Sequence, residues 1–370
     1  MSKEANIIIS GGGTGGHIFP AISIADALRR EIPNCNILFV GAQGRMEMEK
    51  VPAAGYQIVG LPVAGFQRRL TFKNVTFFFK LATSMWKARK IIRQFKPDIA
   101  VGVGGYASGP VLRAAAALGV PTLIQEQNSF PGVTNRILAK KAQAICVAYP
   151  NMDRFFASDK IIFTGNPIRN QLLSNFEKKE GYTHFGLRSD FKTILVVGGS
   201  LGARSVNQGL LKNIHQIKDL PVQVLCQTGG YYFDDIEESL KAKEMKNVKA
   251  TAFIQRMDLA YAIADVVVSR AGAGRISALA QLAKASILVP SPNVSEDHQT
   301  KNAMALVGEN AAILVKDEMA LDQLLPEALA LISDDAKITS LQKNIRQFER
   351  HCADKYIAHE VIKIIENRNN

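Results

Sequence analysis

A short β-branched run, Asn6-Ile7-Ile8-Ile9-Ser10, leads straight into Gly11-Gly12-Gly13-Thr14-Gly15-Gly16-His17, after which Ile18, Ala21, Ile22, Ala25 and Leu28 recur at helical spacing up to Arg30. Strand, glycine loop and helix in that order constrain the fold more than any other feature of the chain. The strand has to be buried, the loop has to turn tightly, and the helix has to pack back on a sheet. The same unit returns further on, where Thr193-Ile194-Leu195-Val196-Val197 ends in Gly198-Gly199-Ser200-Leu201-Gly202-Ala203.

Other apolar runs alternate with helical stretches, at 37–40, 99–103, 120–124 and 144–148 and again at 222–226, 266–269 and 287–289. Such alternation implies parallel sheets covered on both faces. At 370 residues the chain is too long for one ordinary core and suits two domains of roughly 150–200 residues with a cleft between them. The expected fold class is therefore α/β, with two Rossmann-like domains built on parallel sheets. We place the domains at 1–166 and 167–344, with 345–370 a closing amphipathic helix that packs back on the first. That helix carries Phe348, Cys352, Tyr356, His359 and Ile362 on or near one face.

Composition narrows the setting. Apolar residues at 47% and charged residues at 21% suit a folded globular chain and leave little room for long disorder. Cys35, Cys146, Cys226 and Cys352 form no C-x-x-C pair and read as reduced structural thiols. Neither a signal-peptide core nor an uninterrupted run of about 18 apolar residues is visible, so the expected compartment is the cytoplasm. A net charge of +12 calls for an anionic partner, whether nucleic acid, a phosphorylated small molecule or a membrane leaflet.

The first glycine loop lies between a strand and a helix N-terminus, where backbone N–H groups favour an anion, and something phosphorylated is expected there. Gly11, Gly13 and Gly16 also fit the dinucleotide fingerprint, but that reading needs an acid at the end of the second strand. Gly41-Ala42-Gln43 supplies none. His17 directly follows the loop, where an imidazole can take a proton near neutral pH; a purely structural histidine is the other reading. A further loop, Gly102-Val103-Gly104-Gly105-Tyr106-Ala107-Ser108-Gly109-Pro110, ends another strand, as does Glu126-Gln127-Asn128, with Asn135 a little beyond. Loops at the carboxyl ends of parallel strands are where such folds bind ligands, though polar groups there also serve as plain turns.

In the second half, Arg169 stands near the domain junction and suits a diphosphate, being always charged and bidentate. Gly198-Gly199-Ser200, Ser269-Arg270-Ala271-Gly272-Ala273-Gly274 and Glu296-Asp297-His298-Gln299 are further loops after strands. No D-x-D, H-E-x-x-H or cysteine pairing points to a metal. Expelling a nucleoside diphosphate without one requires arginine and helix N-termini.

The segment from Phe66 to Lys96 holds Arg68, Arg69, Lys73, Lys80, Lys87, Arg89, Lys90, Arg93 and Lys96 and no acid, interleaved with Phe72, Phe77, Phe78, Phe79, Leu81 and Trp86. It reads either as an interfacial helix on an anionic leaflet or as a core helix with a basic outer face. No nucleic-acid-binding signature accompanies it.

Taken in order, several long motifs resemble those of the MurG family of N-acetylglucosaminyltransferases, over nearly the whole chain. They are Gly12-Gly13-Thr14-Gly15-Gly16-His17 with Phe19-Pro20-Ala21, Gly104-Gly105-Tyr106 with Ser108-Gly109-Pro110, Glu126-Gln127-Asn128, Gly165-Asn166-Pro167-Ile168-Arg169, Gly198 to Ala203, and Asp297-His298-Gln299. The resemblance implies a GT-B fold whose first domain binds lipid I and the membrane and whose second holds UDP-GlcNAc. It implies an inverting, cofactor-free transfer of GlcNAc to the C4 hydroxyl of the muramyl sugar, giving lipid II for peptidoglycan synthesis at the cytoplasmic face of the membrane, alongside other cell-wall proteins. By the same resemblance His17 is the candidate base or an acceptor-loop residue, with Glu126 its competitor for the base. Thr14, Gly15, Gly16 and Asn128 line the donor-sugar side, and Gly12, Gly13, Gly104, Gly105, Tyr106 and Asn135 form the acceptor loops. Arg169 and Ser200 hold the diphosphate, Ile254 the uracil and Gln299 the sugar hydroxyls. One position departs from the pattern: where the family has an acid expected to bind the uridine ribose, this chain has Ala278, with Arg275 nearby. A weakened, membrane-bound scaffold, or a GT-B transferase with another acceptor, are the rival readings.

Overall fold

The computed structural model describes residues 5–63, 73–168, 177–199 and 201–369, without the side chains of 73–78, 295 and 369. The chain divides into two compact units, one formed by Met1–Ile168 with Arg350–Asn370 and the other by Arg169–Glu349.

In the first unit, strands and helices alternate as β1 (Asn6–Ser10), α1 (Gly15–Glu31), β2 (Asn36–Ala42), α2 (Glu47–Ala53), β3 (Gln57–Leu61), α3 (Lys73–Phe95), β4 (Ile99–Gly102), α4 (Ser108–Ala117), β5 (Thr122–Glu126), α5 (Val133–Ala139), β6 (Ala144–Val147) and β7 (Ile161–Phe163). The sheet runs in the order β3-β2-β1-β4-β5-β6-β7, and every pairing is parallel. Order reverses between β1 and β4, so the loops after these two strands are neighbours at the switch point, where open α/β sheets bind ligands. Ile7, Ile8 and Ile9 are all fully buried, as a strand covered on both faces requires.

The second unit repeats the plan with α6 (Lys178–Phe185), β8 (Lys192–Val197), α7 (Arg204–Lys212), β9 (Val222–Gln227), α8 (Gly230–Ala242), β10 (Val248–Thr251), α9 (Met257–Ile263), β11 (Val266–Ser269), α10 (Ala273–Gln281), β12 (Ala285–Leu288), α11 (His298–Val307), β13 (Ile313–Leu314), α12 (Ala320–Ser333) and α13 (Asp335–Ile345). Its parallel sheet is ordered β10-β9-β8-β11-β12-β13, again with a switch beside the strand that carries the glycine loop. The last helix, α14 (Ala353–Asn369), returns to the first unit and packs on α1. Arg30 of α1 donates to Asp354 at 2.5 Å.

The closing helix differs from its sequence reading. It starts at Ala353 rather than near Ile345, and its core face is Ile357, Ala358, Val361 and Ile365, while Tyr356 is 59% exposed and Cys352 lies outside the helix. The aromatic and sulfur side chains suggested a face one position out of phase with the aliphatic one that is buried.

Candidate active site

The β1–α1 loop is held from beneath by a residue that sequence reasoning missed. Glu47, at the start of α2, is 1% exposed and accepts the Gly13 N–H and the Ala42 N–H, each at 2.9 Å. A Cβ on Gly12, whose φ is +148°, would lie 2.1 Å from Glu47 Oε1. The acid therefore fills the space under the loop and occupies one of its amides. In sequence Glu47 is indistinguishable from an ordinary acid in a first helical turn; its only signal is its place a few residues after β2.

Thr14 caps α1, and Gly15, Gly16 and His17 form its first turn. His17 Nδ1 lies 3.1 Å from the Gly12 carbonyl oxygen and 3.3 Å from Thr14 Oγ1. Since a carbonyl only accepts, Nδ1 carries the hydrogen toward Gly12, and the neutral ring keeps its lone pair on Nε2. Nε2 lies beside the second loop: a Cβ on Gly104 would sit 2.9 Å from it. Gly105, with φ +86°, packs still closer, its missing Cβ 2.3 Å from the Gly12 oxygen. Ser108, buried at the start of α4, has its Oγ 2.9 and 2.8 Å from the Ser10 and Gly104 carbonyls, which share its one hydroxyl hydrogen, and ties the two loops together. Tyr106, at the outer end of the second loop, is half exposed.

The third loop falls into two parts. Gln127 borders Gly104 and donates to the Val103 carbonyl at 2.7 Å and to Gln125 Oε1; Gln125 in turn donates to Asn166 Oδ1 at 2.9 Å. Glu126 is 1% exposed and engaged on both oxygens. Oε1 accepts the Asn128 N–H and Nδ2 at 2.9 and 3.1 Å, and Oε2 accepts the Gly132 N–H and Asn135 Nδ2 at 3.2 and 2.8 Å. Burial pushes its carboxyl above the usual range against the pull of these donors.

In the second unit the corresponding loop is backed by neutral groups. Gln227 donates to the Gly199 carbonyl at 2.8 Å and accepts the Ile254 N–H at 2.9 Å. Asn207 donates to the Thr228 carbonyl at 2.9 Å, and a Cβ on Gly202 would lie 1.9 Å from that same oxygen. Ile254 is buried, and beside it, along Phe253, Arg256 and the end of α6, runs a groove of about 510 Å³. Gln299, at the start of α11, accepts the Ser291 N–H at 2.9 Å, which leaves its amide N–H groups to donate. Arg270, singled out only as part of a loop, is pinned by Asp317, Ser205 Oγ at 3.0 Å and the Val289 and Pro290 carbonyls at 3.1 and 3.3 Å. Arg275 approaches Tyr261 Oη at 3.4 Å, and Ala278 is buried on α10. Arg169 and Ser200 lie outside the described residues.

The part of the basic-aromatic segment before Lys73 is also outside them. In α3 the buried stripe is Ser84, Ala88 and Ile92, whereas Phe79 and Trp86 are 72% and 62% exposed. Val133 and Ile137 of α5, which packs on α4, itself the neighbour of α3, are exposed as well. Among the described residues, no helix is long and apolar enough to cross a membrane, and no group of three or more acidic, histidine or cysteine side chains is arranged to hold a metal.

Two parallel-sheet units, each with a glycine loop at the switch point of its sheet, are the architecture of a GT-B glycosyltransferase. The glycosyltransferase family 28 N-terminal domain matches residues 7–147, and the family 28 C-terminal domain matches 193–357. A protein of Bacteroides thetaiotaomicron described as UDP-N-acetylglucosamine--N-acetylmuramyl-(pentapeptide) pyrophosphoryl-undecaprenol N-acetylglucosamine transferase is 55% identical, with all of both chains covered. One of Cytophaga hutchinsonii with the same description is 53% identical over 98% of each. Among solved structures, the Acinetobacter baumannii MurG superimposes with a TM-score of 0.81 at 28% identity, covering 97% of this chain and 99% of that one. UDP-GlcNAc 2-epimerase of Neisseria meningitidis, at 14% identity and a TM-score of 0.68 over 98% and 100% of the two chains, shares the fold alone. The chain belongs to the MurG family of glycosyltransferases.

Proposed function

We propose that the chain moves GlcNAc from UDP-GlcNAc to the C4 hydroxyl of the MurNAc residue in lipid I, with inversion, giving lipid II and UDP. The observation that carries this reading is the match over the full length of both chains to relatives named for that reaction. The first unit takes the acceptor and the second the donor.

His17 removes the proton. With Nδ1 committed to the Gly12 carbonyl, Nε2 is the basic atom, and it stands between two glycine loops whose lack of side chains leaves room for a sugar hydroxyl. Glu126 braces the Asn128 to Asn135 loop, because four donors already claim its oxygens. Asn128, Thr14, Gly15 and Gly16 border the donor sugar, and Gly12, Gly13, Gly104, Gly105, Tyr106 and Asn135 shape the acceptor side. On the second unit Arg169 and Ser200 hold the diphosphate, Ile254 flanks the uracil and the Gln299 amide donates to the sugar. Arginine charge and loop amides, without a metal step, absorb the charge on departing UDP.

The membrane surface meets α3 and α5. Phe79, Trp86, Val133 and Ile137 supply apolar contact, and Lys80, Lys87, Lys90 and Arg93 flank it, so the enzyme is peripheral on the cytoplasmic leaflet where its substrates meet. Replacing Lys73, Lys80 and Lys87 together by glutamate should release the protein from anionic vesicles, since each charge near the surface is worth about 1 kcal/mol. Unchanged co-sedimentation would remove this surface from the account.

The reaction is tested by offering radiolabelled UDP-GlcNAc and a lipid I analogue. Labelled disaccharide lipid and an equal amount of UDP are expected. Vesicle binding without product would favour the scaffold reading instead.

A further inference from the structure

The sheet of the second unit has a charged edge as well as a glycine-loop edge. At the N-terminal ends of three adjacent strands stand Lys192, which opens β8, Asp265, just before β11, and Lys284, just before β12. Lys178 of α6 and Asp335 of α13 reach the same place, and together these groups line a cavity of about 120 Å³.

The two carboxylates there are already engaged. Asp265 Oδ2 accepts the Thr193 N–H at 2.8 Å, and its Oδ1 is a loose 4.0 Å from Lys178 Nζ. Asp335 takes Lys192 Nζ at 2.7 Å on the exposed rim. Lys284 has no carboxylate within 4 Å among the described residues, where its ammonium donates only to the Ala264 carbonyl, at 2.8 Å. An ammonium has three N–H donors, and a largely buried one is costly unless its charge is met. Burial first, and then Lys178 alongside, pull the Lys284 pKa down to about 8 against the weaker attraction of Asp265.

We propose that this cavity binds a single tetrahedral oxyanion, inorganic phosphate or the head of a small phosphomonoester, held by Lys284 with Lys178 and Lys192. Its volume of about 120 Å³ has room for a phosphate group. It lies at the sheet edge away from the glycine loop, so the site is separate from the one that takes the sugar nucleotide.

Calorimetric titration of the full-length protein with inorganic phosphate, and in parallel with glycerol phosphate, tests this at constant ionic strength with chloride as the reference. Saturable binding is expected, weakened at least tenfold in Lys284→Gln and unchanged in Lys218→Gln, a surface control. Equal affinity for both probes identifies the phosphate group as the ligand, and binding of inorganic phosphate alone identifies the free ion. Wild-type affinity should also fall as pH rises past about 8, when Lys284 loses its proton. Lys284→Arg should keep the binding and lose that pH dependence. Urea unfolding without phosphate verifies that each variant is folded. Binding no better than chloride, an unaffected Lys284→Gln variant, or a flat pH profile in the wild type would each overturn the site.

Discussion

The two glycine loops occupy the same place in their sheets and are backed by opposite chemistry. Beneath the β1–α1 loop lies a buried carboxylate, Glu47, that takes the Gly13 amide for itself; beneath the β8–α7 loop lies a neutral amide, Gln227. An acid under the first loop opposes an anion above it, and an imidazole stands at its rim. A neutral support under the second leaves its dipoles available to a diphosphate. On this contrast we propose that the first loop, where something phosphorylated is expected, also serves proton transfer and acceptor positioning. Motif alone did not distinguish the loops, because both read as strand, glycines and helix.

The largest effects expected concern what the loops share, their close backbone packing. Ala in place of Gly105 or Gly202 would set a Cβ 2.3 or 1.9 Å from a carbonyl oxygen at positive φ. Each should cost more than about 2 kcal/mol in urea unfolding, and a loss below about 0.5 kcal/mol would show a loop that gives way. Exchanging the supports tests what they do not share. Glu47→Gln leaves one loop amide without its acceptor and should cost about 1–3 kcal/mol of stability with little change in donor affinity. Gln227→Glu brings a charge under the diphosphate and should weaken UDP-GlcNAc about tenfold, or about 1.4 kcal/mol. If the two exchanges affect donor affinity alike, the contrast between the loops fails. Ala278→Glu, at a buried position of α10 and so at some cost in stability, restores the acid the family pattern leads one to expect and should tighten UDP-GlcNAc by about tenfold, the worth of one charged hydrogen bond. An unchanged dissociation constant by calorimetry would show that Ala278 costs this chain nothing.

The central strands were legible in the sequence and the edges were not. Strands β1, β2, β4, β5, β6, β8, β9, β11 and β12 are buried on both faces and show as mainly apolar runs, interrupted inside only by buried polar residues such as Gln223 of β9 and Ser286 of β12. The remaining four, β3, β7, β10 and β13, are all sheet edges. There half-exposed positions such as Gln57, Val59 and Lys249 break the run, so apolar continuity has nothing to follow. In the site, His17 and the glycines were legible because each has a local reason to stand where it does. Glu47 and the Gln125–Gln127–Asn166 chain were not, since Gly13 is brought to Glu47, and Asn166 to Gln125 and Gln127, by sheet order. Glu126 was visible as a polar group at a strand end, but nothing in the sequence showed that Asn128, Gly132 and Asn135 would close around it. The sugars and the lipid followed from the order of long motifs and from no local rule.

The division of labour between the loops is tested most directly in His17→Ala, by measuring turnover in the labelled transfer assay and UDP-GlcNAc affinity by calorimetry on the same preparation. Loss of a general base predicts turnover lower by roughly 10²–10⁴ with donor affinity within about twofold of the wild type. Equal losses in turnover and donor affinity would contradict the assignment and make His17 a binding residue.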